Sequence, residues 1–307
     1  MLQAISSGFD PRQARNSSLG ALTTSLRDGK AHLLLACSGS VATIKLPSIV
    51  QALSKYPSSQ LSIRVVLTPS ASRFLAGQSQ EQPTVSALTA LPNVDAVYMD
   101  ADEWKVPWVR GGGILHIELR RWADVLVIAP LSANTLAKIT GGFADSLLTS
   151  VVRAWDPWGE LDTPPASSAT TTPDGTAEGA ATIIPTTQEG TEGASRNRSL
   201  RRRRIIVAPA MNTAMWRHPI TAKQLRVLEE EWGVKGTPPP KTRPDGSPAP
   251  ESSSAAQETG QSDKGDGWFE VLRPQSKVLA CGDAGDGAMV EWTQIVAVIE
   301  ERLGLGH

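Results

Sequence analysis

The chain has 307 residues, with 30 Lys plus Arg against 31 Asp plus Glu, for a formal net charge of -1. That balance argues against a dedicated nucleic-acid binder, which shows a basic domain or face. No apolar run reaches the ~18–20 residues that span a bilayer, the first residues do not read as a secretory leader, and two cysteines, Cys37 and Cys281, make no disulfide framework. The expectation is a reduced, cytoplasmic protein with no membrane or nucleic-acid partner and no metal.

Residues 1–29 show no sustained periodicity and read as a disordered N-terminal segment. Ala31-His-Leu-Leu-Leu-Ala-Cys37 is the continuous apolar run of a fully buried strand. Helical spacing follows over residues 41–54. Leu61 to Leu67 is a second strand, with a helix expected over 70–76, and Val94 to Met99 a third. His116 to Trp122 reads as a short helix and Asp124 to Ala129 as the strongest strand, with helices at 132–140 and 144–154 after it. Residues 157–203 are low in apolar content and read as a disordered insert. Arg204 to Ala208 is another buried strand, 219–232 a helix, 237–266 a second insert rich in Pro, Gly and Ser, and Glu291 to Leu303 a closing helix. The remaining roughly 200 residues suffice for one domain with a sizeable core, spanning residues 30–303 and interrupted by the inserts. Alternating strands and helices predict an α/β three-layer sandwich around a central parallel sheet. Ligands of such sheets bind at the carboxyl ends of the strands, so the loops there are the informative ones.

The first, Ser38-Gly-Ser-Val-Ala42, is neither Gly-x-Gly-x-x-Gly nor a P-loop. Its small residues let backbone amides approach a phosphate monoester or the edge of a flavin; an ordinary strand-to-helix turn fits equally well. Thr68-Pro-Ser-Ala-Ser-Arg-Phe74 offers hydroxyls that simple N-capping also explains. Ala129-Pro-Leu-Ser-Ala-Asn-Thr135 places Ser132, Asn134 and Thr135 at a third helix start, and three such starts on one edge favour a shared anion or cofactor site. Histidine in general titrates near neutrality, which makes His116 the best general-base candidate, although a histidine in an apolar stretch is more often structural. His32, inside a strand, and His218, before a proline, receive no role. In Pro209-Ala-Met-Asn-Thr-Ala-Met-Trp216, Asn212 can cap a helix and meet a carboxylate, with Met211, Met215 and Trp216 read as core. The Gly-rich stretch Leu279 to Met289 carries Cys281, an acid or nucleophile if the loop is mobile, an inert thiol otherwise. Arg201 to Arg204 read as the solvated end of an insert, with nuclear import as the alternative.

In order and spacing, five stretches together resemble the phosphopantothenoylcysteine decarboxylases, the eukaryotic branch of the flavin-containing cysteine decarboxylases. These are Ser38 to Ala42, His116 to Asp124, Ala129 to Lys138, Pro209 to Trp216 and Ala280 to Met289. The resemblance implies a flavodoxin-like or Rossmann-like fold that binds FMN, as a homotrimer or a heterotrimer with paralogues. FMN would lie against Gly39, Ser40 and Val41, Thr68 and Ser70, and Ser132, Ala133, Asn134 and Thr135, with Met211 nearby. His116 matches the essential histidine, Asn212 the carboxylate-binding asparagine, and Cys281 the cysteine of a substrate flap, next to Ala280. Met211 and Ala280 would also touch substrate. In the implied reaction, 4'-phospho-N-pantothenoylcysteine is oxidised at its thiol to a thioaldehyde, loses carbon dioxide, and is re-reduced from the aminoenethiol to 4'-phosphopantetheine, a precursor of coenzyme A. His116 would then face Asn212 and Cys281 of a neighbouring chain. Two departures stand out: the inserts, which resemble those of fungal relatives, and Val278, with Lys277 beside it, where a basic residue is expected before the flap cysteine. Some fungal relatives inhibit a Ser/Thr protein phosphatase and carry an acidic C-terminal tail. This chain ends Gly304-Leu-Gly-His307 and keeps His116, Asn212 and Cys281, so the expectation is a self-sufficient enzyme rather than a regulatory subunit.

Overall fold

A computed structural model describes residues 17–158, 161, 203–234, 267–278 and 284–306. Six strands form one parallel sheet in the order β3-β2-β1-β4-β5-β6. They are β1 (Ala31–Cys37), β2 (Leu61–Leu67), β3 (Val94–Met99), β4 (Val125–Leu131), β5 (Arg204–Pro209) and β6 (Phe269–Val271). Every residue of β2 and β4 is buried, as strands covered on both faces require. The chain winds outward from β1 to β3 and returns to lay β4 on the other side of β1. The order is the Rossmann-like one, and its switch point lies between β1 and β4.

Alternate strand residues feed two cores. Leu33, Leu35, Val127 and Ile206 pack under the helices Leu46–Leu53 and Trp292–Leu303. Leu34, Leu126 and Val207 pack with Trp122, Leu148 and Leu22 on the opposite face. Leu22 belongs to α1 (Leu19–Ser25), inside the stretch read as featureless. Leu22 is its sole buried residue, with Leu26 packed beside the same core, and seven residues are too few for the Leu19, Leu22, Leu26 spacing to stand out as a period. Residues 1–16, and the two inserts apart from their roots, lie outside the described residues.

The helix expected over 41–54 divides into a 3-10 turn, Val41–Lys45, and α2, Leu46–Leu53. Pro47 is the cause: it has no N–H to bond back to residue 43, yet suits the first turn of a new helix. The helix expected over 70–76 is only α3, Pro69–Ser72, and ends in turns before Gly77 at φ 80°. That over 219–232 is α-helical from Pro219 to Arg226 and then widens to a π turn over Val227–Glu231.

Two ionisable side chains inside strands have specific partners. Arg64 of β2 lies over the Trp122 ring at 5.0 Å and donates to the Tyr98 hydroxyl. His32 stacks on the other side of the same cluster, 4.5 Å from Trp122, with its ring nitrogens against Trp122 O and Asp28 Oδ1. It is fully buried, a structural histidine as expected.

Both inserts close at their roots. Arg203 N donates to Pro157 O and Trp155 Nε1 to Arg203 O. Gly267 N donates to Gly233 O and Val234 N to Phe269 O.

Glu270 of β6 joins β5 to the last helix. Its Oε2 accepts from Arg204 Nη1 at 3.2 Å and from Arg302 Nε at 2.9 Å, and its Oε1 from Arg302 Nη2 at 2.9 Å. Burial pushes this carboxyl up, but the bonds and charges of Arg302 and then Arg204 outweigh it and hold the group below its ordinary 4.5. A depressed carboxyl contributes stability in full above the unfolded value and loses it as the pH falls through the folded one. Glu270→Gln should lower the melting temperature at neutral pH by roughly 2–4 °C, and the gap to the parent should close as the pH is lowered below 4.5. Thermal melts across that range check this; a gap of constant size would show that the charge contributes nothing.

Candidate functional site

At the switch point the ends of β1 and β4 are locked together by a short loop. Ser38 donates to Pro130 O through both its N–H and its hydroxyl, each at 3.0 Å, and the Ser38 Oγ accepts from Ser132 N at 2.8 Å. The Ala129–Pro130 peptide is cis. Cys37 Sγ donates to Ala129 O at 3.0 Å, and burial alone drives its thiol pKa far up, so this cysteine is a packed, inert group. Thr68 N donates to Cys37 O and Ala210 N to Leu131 O, which ties the loops after β2 and β5 into the same floor.

Above the floor lies a cleft of about 490 Å³. Gly39, Ser40 and Val41 line one wall, and Ser70 and Phe74 stand next to them. Gly39 has no alternative here: a Cβ on it would stand 2.5 Å from the Ser70 Cβ. Ser132, Ala133 and Asn134 supply a second wall, at the start of α6 (Ala133–Thr140). The Ser132 hydroxyl accepts from Thr135 N, and the first N–H groups of the helix, those of Ala133 and Asn134, are left toward the positive end of its dipole. The Ser40 hydroxyl makes no capping bond, and the Ser70 hydroxyl stands beside Gly39. Met211, Asn212 and Met215 form the third wall, and Met289 and Trp292 the fourth. The lining therefore combines hydroxyl and amide donors with a broad apolar surface, the chemistry of a pocket for a planar ring bearing an anionic chain. Lys45 and Glu291 are the charged residues among the described lining.

The Asn212 side chain caps the helix Thr213–Arg217, its Oδ1 accepting from Met215 N at 2.8 Å, which leaves the amide nitrogen available. The strand Ala284–Ala288, antiparallel to Gln275–Val278, runs against this segment. Met211 N donates to Gly287 O at 3.0 Å, and a Cβ on Gly287 would stand 2.2 Å from Met211 O. Arg217 holds Asp286 through Nε and Nη2 at 3.3 and 2.9 Å. The hairpin is therefore fastened at its base, over the third wall. Ala280 and Cys281, which fall between its two strands in the sequence, lie outside the described residues.

Of the residues expected at a cofactor, Gly39, Ser40, Val41, Ser70, Ser132, Ala133, Asn134 and Met211 line the cleft, as does Asn212. Thr68 and Thr135 do not. Thr68 caps α3 through its Oγ1, and Thr135 gives its N–H to the cap Ser132 while its hydroxyl accepts from Ser132 Oγ. Met215, read as core, is 51% exposed and lines the cleft, because its helix is only five residues long and buries none of them. Trp216 is partly buried against the core, as read.

His116 is not among the residues lining the cleft. It sits in the first turn of the helix Leu115–Trp122, and its Nδ1 is 2.7 Å from Glu103 Oε1. Glu103 ends the short helix Asp100–Glu103 that follows β3, which puts the pair at the same sheet edge but on the outer-strand side. Glu103 went unread in the sequence, where nothing sets it apart from Asp100 and Asp102. Between Glu103 and His116 the chain exposes Trp104, Val106, Trp108 and Val109, each more than half accessible.

The Flavoprotein family profile matches residues 22–169 and 194–304. A Schizosaccharomyces pombe protein named a probable thymidylate synthase is 33% identical over 99% of this chain, and the chain spans only 34% of that relative. A probable phosphopantothenoylcysteine decarboxylase of Arabidopsis thaliana is 34% identical over 88% of this chain and 87% of its own length. Among solved structures, a PPC decarboxylase mutant complexed with pantothenoylaminoethenethiol is 31% identical, covering 89% of this chain and 97% of that one, with a TM-score of 0.53. One described as the FMN binding protein AtHal3 is also 31% identical, with coverages of 89% and 96% and a TM-score of 0.52. On this profile match and these relatives, the chain belongs to the Flavoprotein family, in the group of the phosphopantothenoylcysteine decarboxylases.

Proposed function

We propose that this chain is an FMN-dependent phosphopantothenoylcysteine decarboxylase, which removes the cysteine carboxylate of 4'-phospho-N-pantothenoylcysteine in coenzyme A synthesis. The observation that carries this reading is the convergence of the loops after β1, β2, β4 and β5 on one cleft lined with unspent donors and apolar side chains. The residues present suit FMN. The Ala133 and Asn134 amides with the Ser40 and Ser70 hydroxyls offer donors to a phosphate and to ring heteroatoms, and Val41, Met211 and Met289 offer apolar surface to the ring. When bound, FMN supplies a two-electron oxidation of the substrate thiol and later returns the electrons.

The chain's own groups do the rest. The Asn212 amide nitrogen donates to the substrate carboxylate and orients it. His116 removes or shields the proton at the reacting end. Cys281, on the flap, donates a proton to the aminoenethiol left after carbon dioxide departs. His116 lies apart from the cleft of its own chain, and the segment beside it exposes two tryptophans and two valines. Both facts support a homotrimer in which His116 reaches the cleft of a neighbouring copy.

Purified chain supplied with FMN should release carbon dioxide from 4'-phospho-N-pantothenoylcysteine, and Cys281→Ser should still release it but accumulate the aminoenethiol. Flavin binding without release by the parent chain would turn the reading toward a subunit that needs a different partner. Gly39→Ala should cut FMN occupancy at least tenfold, since the new methyl displaces the Ser70 loop; flavin absorbance after gel filtration reads this, and unchanged occupancy would remove that loop from the cofactor site. Mixing inactive His116→Gln with inactive Asn212→Ala should restore up to about a quarter of the activity per site if the two residues come from different chains. No recovery after subunit exchange would put both in one chain's site.

A further inference from the structure

We infer that Glu103 is the positioning residue of His116, fixing which ring nitrogen carries the proton and which faces the reaction. The inference rests on the decarboxylase reading, in which His116 acts at the reacting end of the substrate.

The geometry is that of a buried carboxylate committed to one imidazole. Glu103 Oε1 stands 2.7 Å from His116 Nδ1; the Glu103 side chain is 5% exposed and that of His116 21%. The second oxygen, Oε2, is buried with no hydrogen-bond partner. Leaving a buried carboxylate oxygen unsatisfied is costly, and a group kept only for stability would be expected to use both oxygens. Nor is Glu103 needed to hold its own helix. Asp102 Oδ2 caps that turn by accepting from Met99 N at 2.7 Å, and Asp100 Oδ1 accepts from Leu147 N at 3.1 Å, anchoring the turn to the helix Leu147–Arg153. The neighbouring acids fasten the backbone, and Glu103 is left for the histidine.

An ionised carboxylate only accepts, so Nδ1 must be the donor in this pair. The Nδ1–H is then fixed, and the lone pair is left on Nε2. When Nε2 takes a proton from the substrate, Nδ1 keeps its own, the ring gains one positive charge, and Glu103 stays ionised and stabilises that charge. The proton leaves again from Nε2. An imidazole without this partner would divide between tautomers, one of which offers a proton where an acceptor is needed.

The test uses the FMN-loaded protein with Glu103→Gln and Glu103→Ala. Both should lower kcat, with KM and FMN occupancy within twofold of the parent. Glu103→Ala should fall by roughly 10–100-fold, a share of the 10²–10⁴ that a general acid–base group contributes. Glu103→Gln, which can still accept from Nδ1–H, should retain more. In parallel, nitrogen-15 histidine spectra of the parent should show the His116 resonance, assigned with His116→Gln, protonated at Nδ1, and Glu103→Ala should shift it toward the Nε2–H form. An unchanged kcat in Glu103→Ala would overturn the inference, as would equal losses of FMN and KM without rescue by Gln, or an unprotonated Nδ1 in the parent. If the parent released no carbon dioxide, the functional reading would fail, while the spectra would still decide the tautomer.

Discussion

One hydroxyl, that of Ser38, joins the two halves of the sheet where the winding reverses. It donates to Pro130 O and accepts from Ser132 N, so both of its roles are filled and neither backbone group is left bare in a dry position. A buried polar group left without its partner costs ~1–3 kcal/mol. Here the more important effect is geometric. The same contact sets the height of the β1 loop against the start of α6, and every other wall of the cleft is measured from that seam. Gly39 then meets Ser70 at a distance no Cβ would allow, and the β5 loop docks on Leu131 through Ala210. A doubly wound sheet leaves a crevice at its switch point by topology alone; Ser38 gives that crevice a fixed floor.

The two halves of the chemistry are held in different ways. Binding groups around the cleft are mostly backbone amides and small hydroxyls on rigid helix starts. The proposed acid–base group, His116, is a single side chain on a separate helix, its Nδ1 2.7 Å from a carboxylate thirteen residues earlier. The flap has an analogous arrangement. Its base is bound by Gly287 to Met211 and by Asp286 to Arg217.

The strands were legible because a parallel sheet demands continuous apolar runs, and Leu61–Leu67 and Val125–Leu131 have them despite Ser62, Arg64 and Pro130. The loops after them could be ranked by chemistry, and Gly39, Ser132 and Asn212 stand where that ranking put them. What escaped had no local signature. Leu22 anchors a helix of only seven residues, too short for its apolar spacing to stand out. Met215 looked like core because a five-residue helix gives no period by which to assign a face. Thr68 and Thr135 could not be told from cleft residues, since a cap and a ligand donor call for the same side chains at the same helix start. Glu103 matters only through a contact made in three dimensions, and nothing in its own neighbourhood distinguishes it from the acids at 100 and 102.

The closed roots of the two inserts bear on how this sheet tolerates change. Pro157 meets Arg203, and Gly233 meets Gly267, immediately ahead of β5 and β6 at the amino ends of parallel strands, the edge remote from the cleft. Once the ends of a loop are pinned by backbone bonds, each doubling of its length adds only ~0.6 kcal/mol of closure entropy. Sequence can therefore accumulate at these two portals with almost no thermodynamic or catalytic consequence. The lineage acquires a testing ground for new peptide segments, insulated from the machinery that selection must preserve.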